Sequence, residues 1–226
     1  MDLTGKNVLI LGGSGALGRR LAAEFHRRGS RVMLAGRSSA DLADQARQLG
    51  PGVMFATFDL RDDPGGIIDE AYRLFGALDG VVNAAGVVAF GPLEELSDDA
   101  LNELVEVNLL GPLRVMRAAV QRMDGGFLVN LTGVVAENPV GGMAAYSAVK
   151  AGLSAATRAL VRELRSKRIL VLDARPPHTE TGLADRPIEG VAPELPVGLD
   201  PDGVAVRVVD AVAAGRRELA AADFTP

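Results

Sequence analysis

Two side chains near the middle of the chain could do acid–base chemistry together. Tyr146-Ser147-Ala148-Val149-Lys150 places a phenol and an ammonium four residues apart. On a helix that spacing puts both on one face. An ammonium beside a phenol favours the phenolate and lowers its pKa. Tyr146 could then pass a proton to or from a substrate oxygen near neutral pH. A Tyr and a Lys at this spacing are common by chance. The pair gains force from what lies upstream.

Near the N-terminus, the apolar run Asn7–Leu11 enters Gly12-Gly13-Ser14-Gly15-Ala16-Leu17-Gly18, and a helical pattern follows. Glycines permit φ > 0 and remove the Cβ that would hold a pyrophosphate away from the backbone. The opening turn of a helix offers free N–H groups and a positive dipole end to phosphates. Two spacings are compatible with such a cradle. Gly13, Gly15 and Gly18 fit G-x-G-x-x-G, and Gly12, Ala16 and Gly18 fit G-x-x-x-[G/A]-x-G. The second strand candidate ends at Ala35-Gly36-Arg37-Ser38. An NAD site usually places an acid here for the ribose 2′-hydroxyl. Arg37 and Ser38 suit a 2′-phosphate instead. The expected cofactor is therefore NADP(H), with NAD(H) second.

The elements that must position these groups alternate along the chain. Strand candidates are Asn7–Leu11, Arg31–Ala35, Val53–Phe58, Gly80–Asn83, Phe127–Leu131 and Ile169–Asp173, with a short one at Glu218–Ala222. Amphipathic stretches at 15–28, 39–49, 66–75, 98–122, 145–166 and 204–214 read as helices. Such alternation predicts one α/β domain over residues 1–226: a Rossmann-type, doubly wound, mostly parallel sheet of six or seven strands with helices on both faces. Strands covered on both faces should be apolar throughout. Arg175–Pro201 holds six of the twelve prolines. Within it, 182–200 reads as an irregular substrate flap, short for a full lid, which leaves the site open.

Composition narrows the function. The chain has 226 residues, 48% of them hydrophobic, and a formal net charge of −5. No strongly basic stretch points to nucleic acid. The absence of cysteine excludes disulfides, thiolate metal sites and a Cys nucleophile, and no metal site is expected. Residues 1–5 lack the features of a signal peptide, and no apolar run suits a bilayer. A cytoplasmic protein that binds neither membrane nor nucleic acid is the expectation.

With these motifs in order, the chain resembles the short-chain dehydrogenase/reductase family from about residue 5 to about residue 215. Asp59-Leu60 looks like the family's adenine-binding acid, and Asn83-Ala84-Ala85-Gly86 is similar to its N-[N/A]-A-G motif. Asn108 stands where the family keeps an Asn that holds a proton-relay water. Tyr146 and Lys150 match its catalytic pair. Pro176 to Thr181 resembles its P-G-x-x-x-T loop, whose Thr orients the nicotinamide. The resemblance implies hydride transfer between a nicotinamide and a small or mid-sized carbonyl or alcohol carbon. It also implies a homodimer built through the helices that carry Asn108 and Tyr146.

The pattern breaks twice. The family's serine, 13 residues before the tyrosine, falls on Gly133. Three readings compete: Thr132 supplies the hydroxyl after a one-residue shift, another donor replaces it, or redox chemistry is lost and only nucleotide binding remains. A shift by one residue points a strand side chain to the other face, which counts against Thr132. Pro177-His178 departs from the family's Gly and apolar residue. His178 is either a substrate-binding or acid–base group, or a loop residue bonded to backbone. The expected substrate walls are Val87–Phe90, Val134–Met143 and 182–197, including Val88, Phe90, Val134, Val140, Met143 and Leu183, with Gly133 beside them. Alternatives to a ketoreductase or alcohol dehydrogenase are a redox-silent NADP-binding regulator and a non-redox lyase or isomerase using Tyr146 and His178.

Overall fold

A computed structural model describes residues 1–224. Seven strands form one parallel sheet in the order β3-β2-β1-β4-β5-β6-β7. They are β1 Asn7–Leu11, β2 Arg31–Gly36, β3 Met54–Thr57, β4 Gly80–Asn83, β5 Gly126–Leu131, β6 Ile169–Ala174 and β7 Glu218–Leu219. The helices are α1 Ala16–Arg27, α2 Ser39–Leu49, α3 Pro64–Phe75, α4 Asp98–Val105, α5 Gly111–Arg122, α6 Ala144–Glu163 and α7 Pro201–Ala214. The doubly wound α/β architecture expected from the alternating pattern is what the chain adopts.

Period-two alternation along β1 divides the core between the two faces of the sheet. Val8 and Ile10 join Leu21, Phe25, Val208 and Val212, under α1 and α7. Leu9 and Leu11 join Ile68, Met116 and Leu153, under α3, α5 and α6. Phe25 and Phe127 are fully buried and stack with centroids 5.5 Å apart. Full burial of such a side chain contributes about 2 kcal/mol. β3 departs from the all-apolar expectation: it lies at the sheet's edge, and Phe55 and Thr57 face solvent.

The segment expected as one helix over 98–122 carries a π turn at Glu106–Leu110, between α4 and α5. π turns widen a helix and re-aim its side chains. This one carries Asn108. β7 is shorter than expected, because the chain turns into a single 3₁₀ turn at Ala221–Phe224.

Sheet order reverses beside β1, whose neighbours β2 and β4 are separated in sequence. Open parallel sheets bind ligands at such a switch point, beyond the carboxyl ends of the strands. Side chains cap α2 (Ser38), α3 (Asp63), α4 (Ser97) and α7 (Asp200). α1 and α6 begin without a side-chain cap, at Gly15 and Met143. Gly15 and Met143 both line the cleft.

Candidate active site

One cleft of about 970 Å³ runs across the carboxyl ends of the strands. At one end lie Gly12, Ser14, Gly15, Ala16 and Leu17, with Arg37, Ser38, Asp59 and Leu60 beside them. Ala84, Ala85 and Gly86 cross its middle. Tyr146, Lys150, Gly133, Val134, Pro176, His178 and Thr181 line the other end, together with Val88 and Met143.

Close contacts leave little room for side chains at the glycine turn. Gly12 has φ +74°, and a Cβ there would lie 2.8 Å from Ala85 Cα. A Cβ on Gly18 would overlap the Gly12 carbonyl oxygen. Gly18 therefore sits behind the turn, packed on Gly12, and does not line the cleft. Gly13 is closely packed too, against Leu34. Gly12, Gly13 and Gly18 all lack room for a Cβ, which is compatible with both spacings.

At the far end of the turn, Arg37 is exposed and forms no ion pair among the described residues, and Ser38 caps α2 by accepting from Asp41 N at 3.2 Å. Asp59 accepts two bonds from the Arg61 guanidinium, at 2.9 and 2.7 Å. That guanidinium holds the Asp59 carboxyl below its usual pKa range. Arg61 was not among the residues expected at the site, although its place two residues after Asp59 is a local signal.

Tyr146 and Lys150 do share one face of α6. Lys150 Nζ lies 5.7 Å from the Tyr146 ring centroid. It donates to Leu131 O at 3.1 Å. Burial lowers the Lys150 pKa to about 8 and raises that of the Tyr146 phenol to about 12. The expectation that Lys150 lowers the phenol's pKa is therefore corrected. Loss of hydration penalises a phenolate here, so Tyr146 holds its proton at neutral pH.

A buried polar chain sets α6 against the sheet. Asn83 Nδ2 donates to Asn130 Oδ1 at 3.4 Å, Asn130 Nδ2 donates to Thr157 Oγ1 at 3.0 Å, and Thr157 Oγ1 donates to Leu153 O at 2.7 Å. Asn83 was expected at the cofactor. It is buried behind the cleft instead, tying β4 to β5. Asn108 is likewise off the cleft surface. Its Oδ1 accepts from Val87 N at 3.2 Å, and its Nδ2 donates to Val87 O and Leu104 O at 3.0 and 3.2 Å. Both amide protons are engaged, so this side chain fastens the loop after β4 to the π turn. The expected relay water is not held by its amide protons. Gly86 is part of the same fit: a Cβ there would lie 2.8 Å from Asn108 Oδ1 and 3.4 Å from Lys150 Nζ.

Thr132 does not replace the expected serine. It is fully buried, and its hydroxyl donates to Asp173 Oδ1 at 2.6 Å. Asp173 also accepts from Ser154 Oγ at 2.6 Å and from Arg175. Arg175 in turn bonds Glu137 and Glu218. This network was not foreseen, because no local spacing connects its members. Gly133 runs at φ +79°, ψ 162°, a region almost restricted to glycine. The turn is thus built for glycine, with no Cβ contact nearer than Pro176 O at 3.9 Å.

The flap is short, yet it crosses the cleft and is held there. Ile188 N donates to Val88 O at 2.8 Å, and Phe90 N donates to Glu189 O at 3.0 Å. The Glu189 carboxylate accepts from Ser97 N at 2.8 Å and from the Ser97 hydroxyl. Gly190 has φ +79°, and a Cβ there would overlap Phe90 O. The site expected to stand open is therefore partly roofed. His178 is partly exposed, with Nε2 3.6 Å from Glu180 Oε1. It forms a wall shared with a side cavity of about 300 Å³. Thr181 Oγ1 accepts from Leu183 N at 3.4 Å.

Comparison with known proteins bears on the family and the fold. The family model for short chain dehydrogenases matches residues 6–190. The chain belongs to the short chain dehydrogenase family. Among members of this oxidoreductase family, 3-oxoacyl-[acyl-carrier-protein] reductase FabG of Escherichia coli is 30% identical over 208 residues, 88% of this chain and 85% of the relative. The cyclic-di-GMP-binding biofilm dispersal mediator protein of Escherichia coli is 34% identical over 197 residues, 85% and 81% of the two chains. In fold, the chain superposes on 3-ketoacyl-(acyl-carrier-protein) reductase from Brucella melitensis complexed with NADH. The TM-score is 0.87 at 21% identity, covering 99% of this chain and 100% of that one. The dehydrogenase family uses nicotinamide cofactors and small-molecule substrates. Among the described residues, no helix is long and apolar enough to cross a membrane, and no group of His, Cys, Asp or Glu could hold a metal ion.

Proposed function

We propose that this protein is an NADP(H)-dependent ketoreductase acting on small or mid-sized carbonyl compounds. The observation that carries this reading is Tyr146 and Lys150 on one face of α6, at the end of a cleft whose other end is a close-packed, glycine-rich turn. The turn fits a dinucleotide. A Cβ at Gly12 would collide with the loop after β4, and the first turn of α1 has no side-chain cap to compete for its amides. Gly12 to Leu17 would hold the pyrophosphate, Asp59 and Leu60 the adenine, and Arg37 with Ser38 the 2′-phosphate. Lys150 and Thr181 would hold the nicotinamide riboside.

When bound, the reduced nicotinamide supplies a hydride to the substrate's carbonyl carbon. Tyr146, protonated at neutral pH, gives its proton to the carbonyl oxygen, and the product is the alcohol. Lys150, held by Leu131 O, keeps a positive charge beneath the phenol and stabilises the phenolate left behind. Asn108 and Gly86 fix the loop that faces Lys150. Without a serine at 133, the substrate oxygen loses one donor, a cost of about 3 kcal/mol in the transition state. Such a loss slows the reaction without abolishing it.

The test is NADPH binding by fluorescence, followed by loss of nicotinamide absorbance against a panel of ketones and aldehydes, with Tyr146→Phe as control. Binding with turnover that the control lacks is the expected result. Gly133 favours one other reading, a regulator that keeps the nucleotide cradle and has lost turnover. Binding with no turnover on any carbonyl would establish it. Product formed at constant nicotinamide absorbance would point to a lyase or isomerase.

We also infer a homodimer through α5 and α6, in the cytoplasm. Ala144, Ala148, Ala155 and Ala159 form an exposed stripe along α6 that allows close approach of a second helix. Light scattering at micromolar concentration should give twice the 23.5 kDa chain mass.

A further inference from the structure

Charge is distributed unevenly along the cleft. Its acidic lining residues, Asp41, Asp59 and Glu103, come from α2, the loop after β3 and α4. All three belong to the nucleotide half, where Arg61 already pairs with Asp59. The substrate half, beyond β4, β5 and β6, is walled by apolar side chains, and its fixed charges are the cations Lys150 and Arg186. Lys150 is buried and bonded to Leu131 O. Arg186 is on the flap and exposed.

Arg186 is held by its root and free at its tip. Its Nε donates to Gly182 O at 3.0 Å, and its backbone N donates to Leu183 O at 3.2 Å. These bonds anchor the guanidinium on the cleft wall. Among the described residues, no carboxylate pairs with it. The acids nearest in sequence are placed elsewhere. Asp185 and Glu180 line the side cavity, where Glu180 accepts from Gly198 N at 2.6 Å, and Glu189 is bound to Ser97. A planar guanidinium with unoccupied N–H groups suits two oxygens of an anion.

We propose that Arg186 anchors an anionic oxygen group on the substrate, a carboxylate or a phosphate ester. The substrate class becomes an apolar carbonyl compound with one negative end. This inference rests on the ketoreductase reading, since it places the carbonyl at Tyr146.

The experiment pairs straight-chain oxo carboxylic acids of increasing length with their methyl esters, and adds an arm of oxoalkyl phosphates. Initial rates with NADPH are measured beside calorimetric binding of each compound to the NADP⁺-loaded protein. The anionic member of a pair should bind about tenfold more tightly and show a correspondingly lower KM. Arg186→Gln should erase that difference while leaving kcat and the ester's KM unchanged, and Arg186→Lys should restore part of it. A preference confined to the phosphates or to the acids identifies the anion's source. Equal affinity for acid and ester, or an acid preference that survives Arg186→Gln, would overturn the anchor. Esters reduced as readily as acids reject the anchor and leave the reductase standing. Acids that bind through Arg186 with no nicotinamide oxidation do the reverse.

Discussion

Lys150 Nζ donates to the Leu131 carbonyl at 3.1 Å, beneath the ring of Tyr146. The contact joins α6 to the end of β5, so the ammonium that serves the phenol also marks where the strand stops. Burial brings its pKa to about 8, while the phenol rises to about 12. Below pH 8 both groups carry their protons, the state that reduction needs. The kcat/KM for carbonyl reduction should therefore be flat near neutrality and fall as pH rises through about 8. Lys150→Met should remove that limb and lower activity by about 100-fold or more. The same shift acts on stability. Between pH 8 and the unfolded value of 10.5 the native state binds fewer protons, so this contribution to stability rises with pH. Denaturant midpoints of the wild type should show that rise, and those of Lys150→Met should lack it.

Arg37 stands exposed at the end of β2 without an ion-pair partner among the described residues. A charged bond to a 2′-phosphate contributes about 2 kcal/mol. Arg37→Ala should raise the Km for NADPH by about 30-fold and leave that for NADH unchanged. Equal Km values for the two cofactors in the wild type would remove the claim of NADP preference.

Arg175 joins Asp173, Glu137 and Glu218, and Glu137 lies just beyond the turn that carries Gly133 and Val134. Glu137→Gln weakens one arm of that clamp without burying a new charge. Its KM for the carbonyl substrate should rise several-fold while NADPH affinity, read by fluorescence, stays as in the wild type. Arg175→Leu leaves Asp173 buried without its cation. It should cost about 3–5 kcal/mol in denaturant unfolding.

Gly133→Ser tests whether the turn can accept the family's hydroxyl. The side chain would find space, but φ +79° with ψ 162° is a strained backbone for any L residue. The variant should lose about 1–3 kcal/mol of stability. A serine variant as stable as the wild type, with a higher kcat, would show that the turn relaxes readily.

Residue type and local spacing alone determined the order of strands and helices, the glycine turn, the Tyr146–Lys150 pair and Arg37 at the end of β2. These depend on short periods: two residues along a strand, four around a helix, and a strand–glycine–helix run, all legible within a dozen residues. Tertiary structure decided the rest. Thr132 and Asn108 each carry polar atoms that could have faced the cleft. Their partners, Asp173 and Val87, lie 41 and 21 residues away. The Arg175 clamp, the flap's attachment to Val88 and Phe90, and the burial that separates the Tyr146 and Lys150 pKa values likewise arise between segments distant along the chain. No periodicity encodes such pairings. They exist because the sheet brings the ends of β4, β5 and β6 side by side, and every buried polar group there must find its partner across strands.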